Sequence, residues 1–234
     1  MNPNKATPIT KEKIVSASWD LLRSDGIENF TMRKLAKQLD IKAASLYWHF
    51  PSKQNIFQYL ANEIAKKVLL SVRNEEDWKA ALYQFGMHFR EQLEKYPCSA
   101  QLMMQTLPSE PEYLALINAM LIIVDPLPLS DRDKFSAIAC MLNYVLSFEL
   151  DRHQQKKVNL AMQQDGMEHV QKQSANAMDH LPDHVADPLR RMHRNQIFSE
   201  LGSISMFQTG LTILISGIEQ LSLARREDDV GHMA

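Results

Sequence analysis

The sequence predicts an all-α fold, in which a small N-terminal unit of three helices is joined to a larger helical body. Three observations carry this. Glycine is scarce, at 7 of 234 residues. Apolar residues recur every three or four positions rather than alternately, which is the helical period. The breaks between such runs carry capping residues and prolines.

The elements follow in order. Thr10 is placed to cap a helix through Ser24, with Ile14, Ala17 and Leu21 on one face and Gly26 as a left-handed stop. Thr31 caps a short second helix carrying Leu35 and Leu39. "LDI" is a tight break, and Lys42 opens a short third helix ending near Phe50. Pro51 closes it, and Ser52 caps a helix from Lys53 to Val72. Beyond it the pattern predicts helices over Glu76–Lys95, Ser99–Gln105, Glu110–Ile123, Asp131–Gln155, Gly166–Met178, Ala186–Ser199 and Ser203–Arg226. The expected division is 1–52, 53–226 and a disordered tail over 227–234.

Composition narrows the function. The net charge is −2, yet residues 1–60 hold nine Lys/Arg against five Asp/Glu, while the rest is acidic. A basic head on an acidic body points to an anionic partner for the head alone. The first residues have no apolar core of a signal peptide, and "ISMFQTGLTILISGIEQLSL" is broken by Gln208, Thr209, Glu219 and Gln220. It is expected to be a buried helix rather than a membrane span, and the expected compartment is the cytoplasm. Cys98 and Cys140 lack metal-like spacing and are expected to be reduced packing residues. His180 and His184 are four apart, but Pro182 between them spoils a helical metal pair, so no metal site is expected.

Residues 32–57, "MRKLAKQLDIKAASLYWHFPSKQNIF", concentrate bases and aromatics on two short helices. A short helix, a tight turn and another short helix make a helix-turn-helix. Ala36 is small where the two helices cross, and Leu35, Leu39, Ile41 and Leu46 can form their shared core. That leaves Lys42, Ala43, Ala44 and Ser45 on the first turn of a recognition helix, followed by Tyr47, Trp48 and His49. Thr31 and Arg33 can reach the same duplex, Arg33 as a bidentate reader of guanine. Lys53 and the free amides beside it can clamp a phosphate. The competing reading is a helical bundle with ordinary solvated bases and core aromatics.

"TMRKLAKQLDIKAASLYWHFPSKQNIFQYL" resembles the DNA-binding domain of the tetracycline-repressor (TetR) family, "LYWHF" and the following Lys53 being the most specific part. Asp40 stands where that family usually has Gly in the turn, and Asp tolerates left-handed backbone better than most residues. "DWKAALYQFGMHFREQL", "QTLPSEPEYLAL", "SFELDRHQQ" and "FQTGLTILISGIEQL" extend a weaker resemblance to the ligand-binding domain of the tetracycline repressors. The resemblance implies a homodimeric repressor that binds a palindromic double-stranded DNA operator and is released by a small molecule.

The histidines with which those repressors hold a drug–magnesium complex fall here at Leu69 and Met103, and a polar drug contact falls at Phe85. The resemblance thus implies an effector other than a tetracycline, with no metal or cofactor. Phe85, Phe89, Leu102, Met103, Met104, Met120 and Met141 suit an adaptable apolar pocket, with Thr106 and Asn143 as polar points and Leu69 as a further ligand-binding position. A Met/Phe stripe at this spacing equally describes a plain core. In the last helix Gly210 and Gly217 share a face with Leu214 and Leu221, which suits close approach of a second subunit or tight packing within one. Two other functions stay open: a helix-turn-helix activator or architectural factor without a small ligand, and a helical enzyme, for which no catalytic constellation stands out.

Overall fold

The structure, a computed structural model, describes residues 9–70, 77–165 and 180–231. Among them there are ten α-helices and one 3-10 turn, and no strand. The helices are α1 (Lys11–Asp25), α2 (Met32–Gln38), α3 (Ala43–His49), α4 (Lys53–Leu69), α5 (Trp78–Lys95), α6 (Ser99–Met104), α7 (Pro111–Val124), α8 (Asp131–Asp165), α9 (Asp183–Arg194) and α10 (Ile204–Gly231). The turn Ile197–Glu200 lies between α9 and α10.

Local chemistry sets the first boundaries. The hydroxyls of Thr10, Thr31 and Ser52 accept from the Lys13, Lys34 and Asn55 backbone N–H groups, capping α1, α2 and α4. Each such cap stabilises a helix start by about 1 kcal/mol. Gly26 stops α1 at φ +74°. Asp77 caps α5 through the Lys79 and Ala80 N–H groups.

One continuous core runs through the chain, and α4 is its axis. Ile56, Phe57 and Leu60 pack among the head residues, with the Phe30 and Phe57 rings edge-on at 5.1 Å. Ile64, Ala65 and Val68, further along the same helix, are fully buried as α4 packs on α5, α6 and α7. The expected boundary at residue 52 therefore lies beside a helix whose first two turns complete the head's core.

Four boundaries differ from expectation. α8 continues through Asp165 instead of ending near Gln155, because the polar stretch after it holds helix formers and no Gly or Pro before Gly166. α9 starts directly after Pro182 and carries Pro188 inside, forgoing one backbone bond; it ends at Arg194, and Gln196 then turns left-handed at φ 56°. α10 extends to Gly231, into the segment expected to be a disordered tail. α4 stops at Leu69. The helix expected over Gly166–Met178 lies outside the described residues. Cys98 is half-buried, and Cys140 is exposed rather than packed.

Candidate nucleic-acid interface

The turn between α2 and α3 is closed by backbone bonds from the Ile41 N–H to the Ala36 carbonyl (3.0 Å) and from the Asp40 N–H to the Lys37 carbonyl (3.2 Å). Asp40 takes φ 51°, the left-handed conformation its position requires. Ala36 is buried at the crossing, and Leu35 and Leu46 are fully buried beneath it. Leu39 and Ile41 pack at the edge of this core.

With Leu46 and Phe50 turned inward, the rest of α3 faces out. Ala44, Ser45 and Lys42 are exposed, whereas Ala43 and His49 are half-buried. Tyr47 is exposed, and Trp48 is 87% exposed, one turn along the same face as Ala44. On α2, Thr31, Arg33 and Lys37 are exposed, and Arg33, Lys37 and Lys42 have no ion-pair partner among the described residues. Lys34 is different. Its ammonium donates to Asp25 at 2.6 Å, and this bond, with one from the Ser24 hydroxyl, holds the Asp25 carboxyl below its ordinary range.

Lys53 plays a part that its position in the sequence does not reveal. Its ammonium donates to the Ile27 carbonyl at 3.2 Å and lies 5.0 Å from the centre of the Phe57 ring. The side chain braces the α1–α2 turn, leaving its other N–H donors for an outside partner. Lys11 is a second such brace, 4.0 Å over the Tyr59 ring.

In the body, Phe85, Phe89 and Met103 are packed in the core, the two rings 6.2 Å apart. Thr106 is buried, its hydroxyl donating to the Met103 carbonyl at 3.1 Å. Leu69 is half-buried at the end of α4. Met104 and Asn143 are exposed: α6 and α8 turn the opposite faces inward, so within this chain these two do not join the other five. A polar ladder absent from the sequence reading ties α4 to the segment after α6. The Gln54 amide donates to the Gln105 carbonyl at 2.9 Å, the Gln58 amide donates to the Leu107 carbonyl, and Asn62 accepts from the Tyr113 N–H at 3.1 Å.

Gly210 and Gly217 part company. Gly210 faces Tyr144 of α8 in the same chain, whereas nothing lies within 4 Å of a Cβ at Gly217. Leu214 is half-buried; Leu221 and Ile213 are exposed on α10, and Phe135 is exposed on α8.

Residues 14–60 match the family model for bacterial regulatory proteins of the tetR family, and residues 72–222 match the tetracyclin repressor-like C-terminal domain. The chain belongs to the TetR family. Among curated relatives, the Escherichia coli tetracycline repressor of class C is 23% identical over 95% of this chain and 96% of its own length. An HTH-type transcriptional regulator of Saccharopolyspora erythraea is 30% identical over 59% of this chain and 58% of its own length. Among solved structures, apo ActR of Streptomyces coelicolor superposes with a TM-score of 0.73 at 18% identity, covering 92% of this chain and 97% of ActR. A TetR variant of Acinetobacter baumannii AYE in complex with minocycline gives 0.64 at 24%, covering 92% and 98%. TetR-family regulators are DNA-binding transcription factors, and this chain is a transcriptional regulator of that family. Among the described residues no helix is long and apolar enough to cross a membrane.

Proposed function

We propose that this TetR-family regulator is a repressor, binding a palindromic operator as a homodimer and released by a small, mostly apolar effector. The observation that carries the duplex contact is the outward face of α2 and α3. Arg33, Lys42, Ala44, Ser45 and Trp48 are exposed on helices whose inner faces are fully buried. A tryptophan 87% exposed above small residues suits a groove wall, and the unpaired bases suit phosphates and a guanine edge. Thr31, Tyr47 and His49 flank that surface, Ala43 sets its depth, and Lys53 offers a phosphate contact beside its bracing role.

The dimer reading rests on α8 and α10, where Phe135 and Ile213 are exposed and Gly217 and Leu221 offer a face open to another helix. Gly210 and Leu214 support that face from within the chain. An effector would enter the body near Phe85, Phe89, Met103 and Thr106, with Leu69 at the rim, and Leu69 and Met103 offer no ligand for a hard cation such as magnesium. Since α4 joins the head to this region through Gln54 and Gln58, an effector that displaces the segment after α6 moves the head. Two heads must be spaced about 34–36 Å apart to meet successive major grooves. An effector favouring the wrong spacing about 10⁴-fold would convert a mostly binding population into a mostly released one.

The test is retention on immobilised duplex DNA in a salt gradient, followed by selection of duplexes from a random pool. Affinity falling steeply with salt and a selected site with two-fold symmetry are expected. A chain that ignores duplex DNA at low salt overturns the reading, and a selected site without symmetry overturns the dimer.

A further inference from the structure

We infer that a cleft between the end of α5, the start of α6 and the second half of α8 binds a small monocarboxylic acid with an apolar body. The cleft is separate from the Met/Phe core, and this inference does not rest on the duplex-binding reading.

Its floor is a four-charge lattice. Glu149, its side chain 6% exposed, takes the Arg90 Nε at 2.9 Å and the Arg152 Nη2 at 2.7 Å. The Arg152 Nε also donates to the Glu149 carboxylate at 3.0 Å. The Arg90 Nε is close to Glu149 but poorly aligned, and it makes no hydrogen bond. The last corner of Arg152, Nη1, meets Glu94 at 2.8 Å. Glu94 is 45% exposed on its side chain, and this is the outermost contact of the lattice.

Burying such charges seldom stabilises a fold relative to apolar packing. What the lattice does supply is a guanidinium of fixed orientation at the cleft. Glu149 holds Arg152 from behind, and the half-exposed Glu94 carboxylate, which also lies 3.9 Å from the Arg90 Nη1, covers its Nη1. An incoming carboxylate can take Glu94's place on Nη1 without leaving a charge uncompensated.

Two more features select an anion. Lys156 lines the cleft, and Lys157 follows it; neither has an ion-pair partner among the described residues. The His153 imidazole, also in the lining, is held below its ordinary pKa by burial and then by Lys157, Lys156 and Arg152. The cleft therefore carries surplus positive potential beside a neutral imidazole that can donate or accept. Leu93, Tyr96 and Leu150 form the apolar part of the lining. It favours a carbon body over inorganic phosphate, at roughly 25 cal/mol per Å² of apolar surface covered.

The location couples the cleft to the head. The Tyr96 ring lies 4.9 Å from Trp19 of α1, the Cys98 thiol lies 3.7 Å from the Leu22 carbonyl, and the Gln101 amide donates to Glu28 at 2.9 Å. These contacts join α1 and the turn after it to the body, and an acid seated against Tyr96 bears on them directly.

The experiment titrates the full chain, without DNA, with hexanoate, hexan-1-ol and inorganic phosphate. It follows the His153 imidazole by NMR and the heat of binding. Saturable hexanoate binding at one site per chain is expected, with the His153 titration moving up as the anion arrives. The alcohol and phosphate should each bind about tenfold more weakly, as should hexanoate to Lys156→Gln, a surface change that leaves the lattice intact. Leu150→Asn should remove the preference for hexanoate over acetate. No saturable shift at His153, or equal hexanoate affinity in Lys156→Gln, overturns the site. Phosphate binding as tightly as hexanoate overturns the ligand class.

Discussion

Gly210 of α10 lies directly beneath the phenol of Tyr144, so close that even one added carbon would overlap its oxygen and ring. The Tyr144 hydroxyl uses that space to donate toward the Met206 and Phe207 carbonyls at 3.3 and 3.0 Å, while its ring stacks on Phe207 at 5.4 Å. Gly210→Ala must evict the phenol and is expected to cost about 1–3 kcal/mol, as overpacking in a tight core does. Urea unfolding at fixed protein concentration measures it. Tyr144→Phe in the same background should recover part of the loss, because the clashing oxygen is gone.

Gly217 behaves oppositely. Its surroundings within the chain are empty, so Gly217→Leu should leave the subunit folded. If α10 pairs with a second copy there, the leucine keeps the helices apart. Sedimentation should then show monomers with unchanged helical content by circular dichroism. An intact dimer removes Gly217 from the interface.

Arg33 and Lys53 should separate by the kind of loss they cause. Arg33→Ala is expected to erase preference at one base pair of each half-site, about 1–3 kcal/mol, in a binding-site selection. Lys53→Met keeps the apolar stem against Phe57 but loses the charge, so it should weaken all duplexes alike and reduce the salt slope by about one. Both variants lose the bond to the Ile27 carbonyl, but Lys53→Ala also removes the stem from Phe57, so it should lower the melting temperature more than the methionine variant does.

Glu149→Gln tests the buried lattice. The substitution keeps the shape but leaves Arg90 and Arg152, each largely buried, short of an anion. Loss of one partner from such a pair costs about 3–5 kcal/mol. Thermal and urea unfolding should show it, and a shift under 1 kcal/mol would mean that water already screens the lattice.

How much of this was legible depends on range along the chain. The first four helices were readable because their signals are adjacent to what they control: Thr10, Thr31 and Ser52 sit three residues from the N–H groups they cap. The Asp40 turn was readable for the same reason. Features made by distant pairs were not. A helical period places Met104 and Asn143 on a stripe but does not say which stripe faces inward. Gly210 and Gly217 are alike in sequence, and only Tyr144, 66 positions before one of them, tells them apart. Glu149 sits in a polar-looking stretch and is nonetheless buried, because Arg90 and Arg152 meet it from two helices.

Finally, α4 limits how this regulator can be re-engineered. Phe57 completes the packing around Phe30, and Val68, three turns later on the same rod, is buried in the body. There is no linker at which to cut. A transplanted reading head severed at residue 52 would lose the hydrophobic floor on which it folds, and the recipient would lose the first turns of its central strut. Exchanging operator specificity between relatives therefore calls for a splice inside α4, past Leu60, with the helical phase kept to the residue. One inserted residue would rotate the graft about 100° around the rod and aim its recognition helix in a new direction.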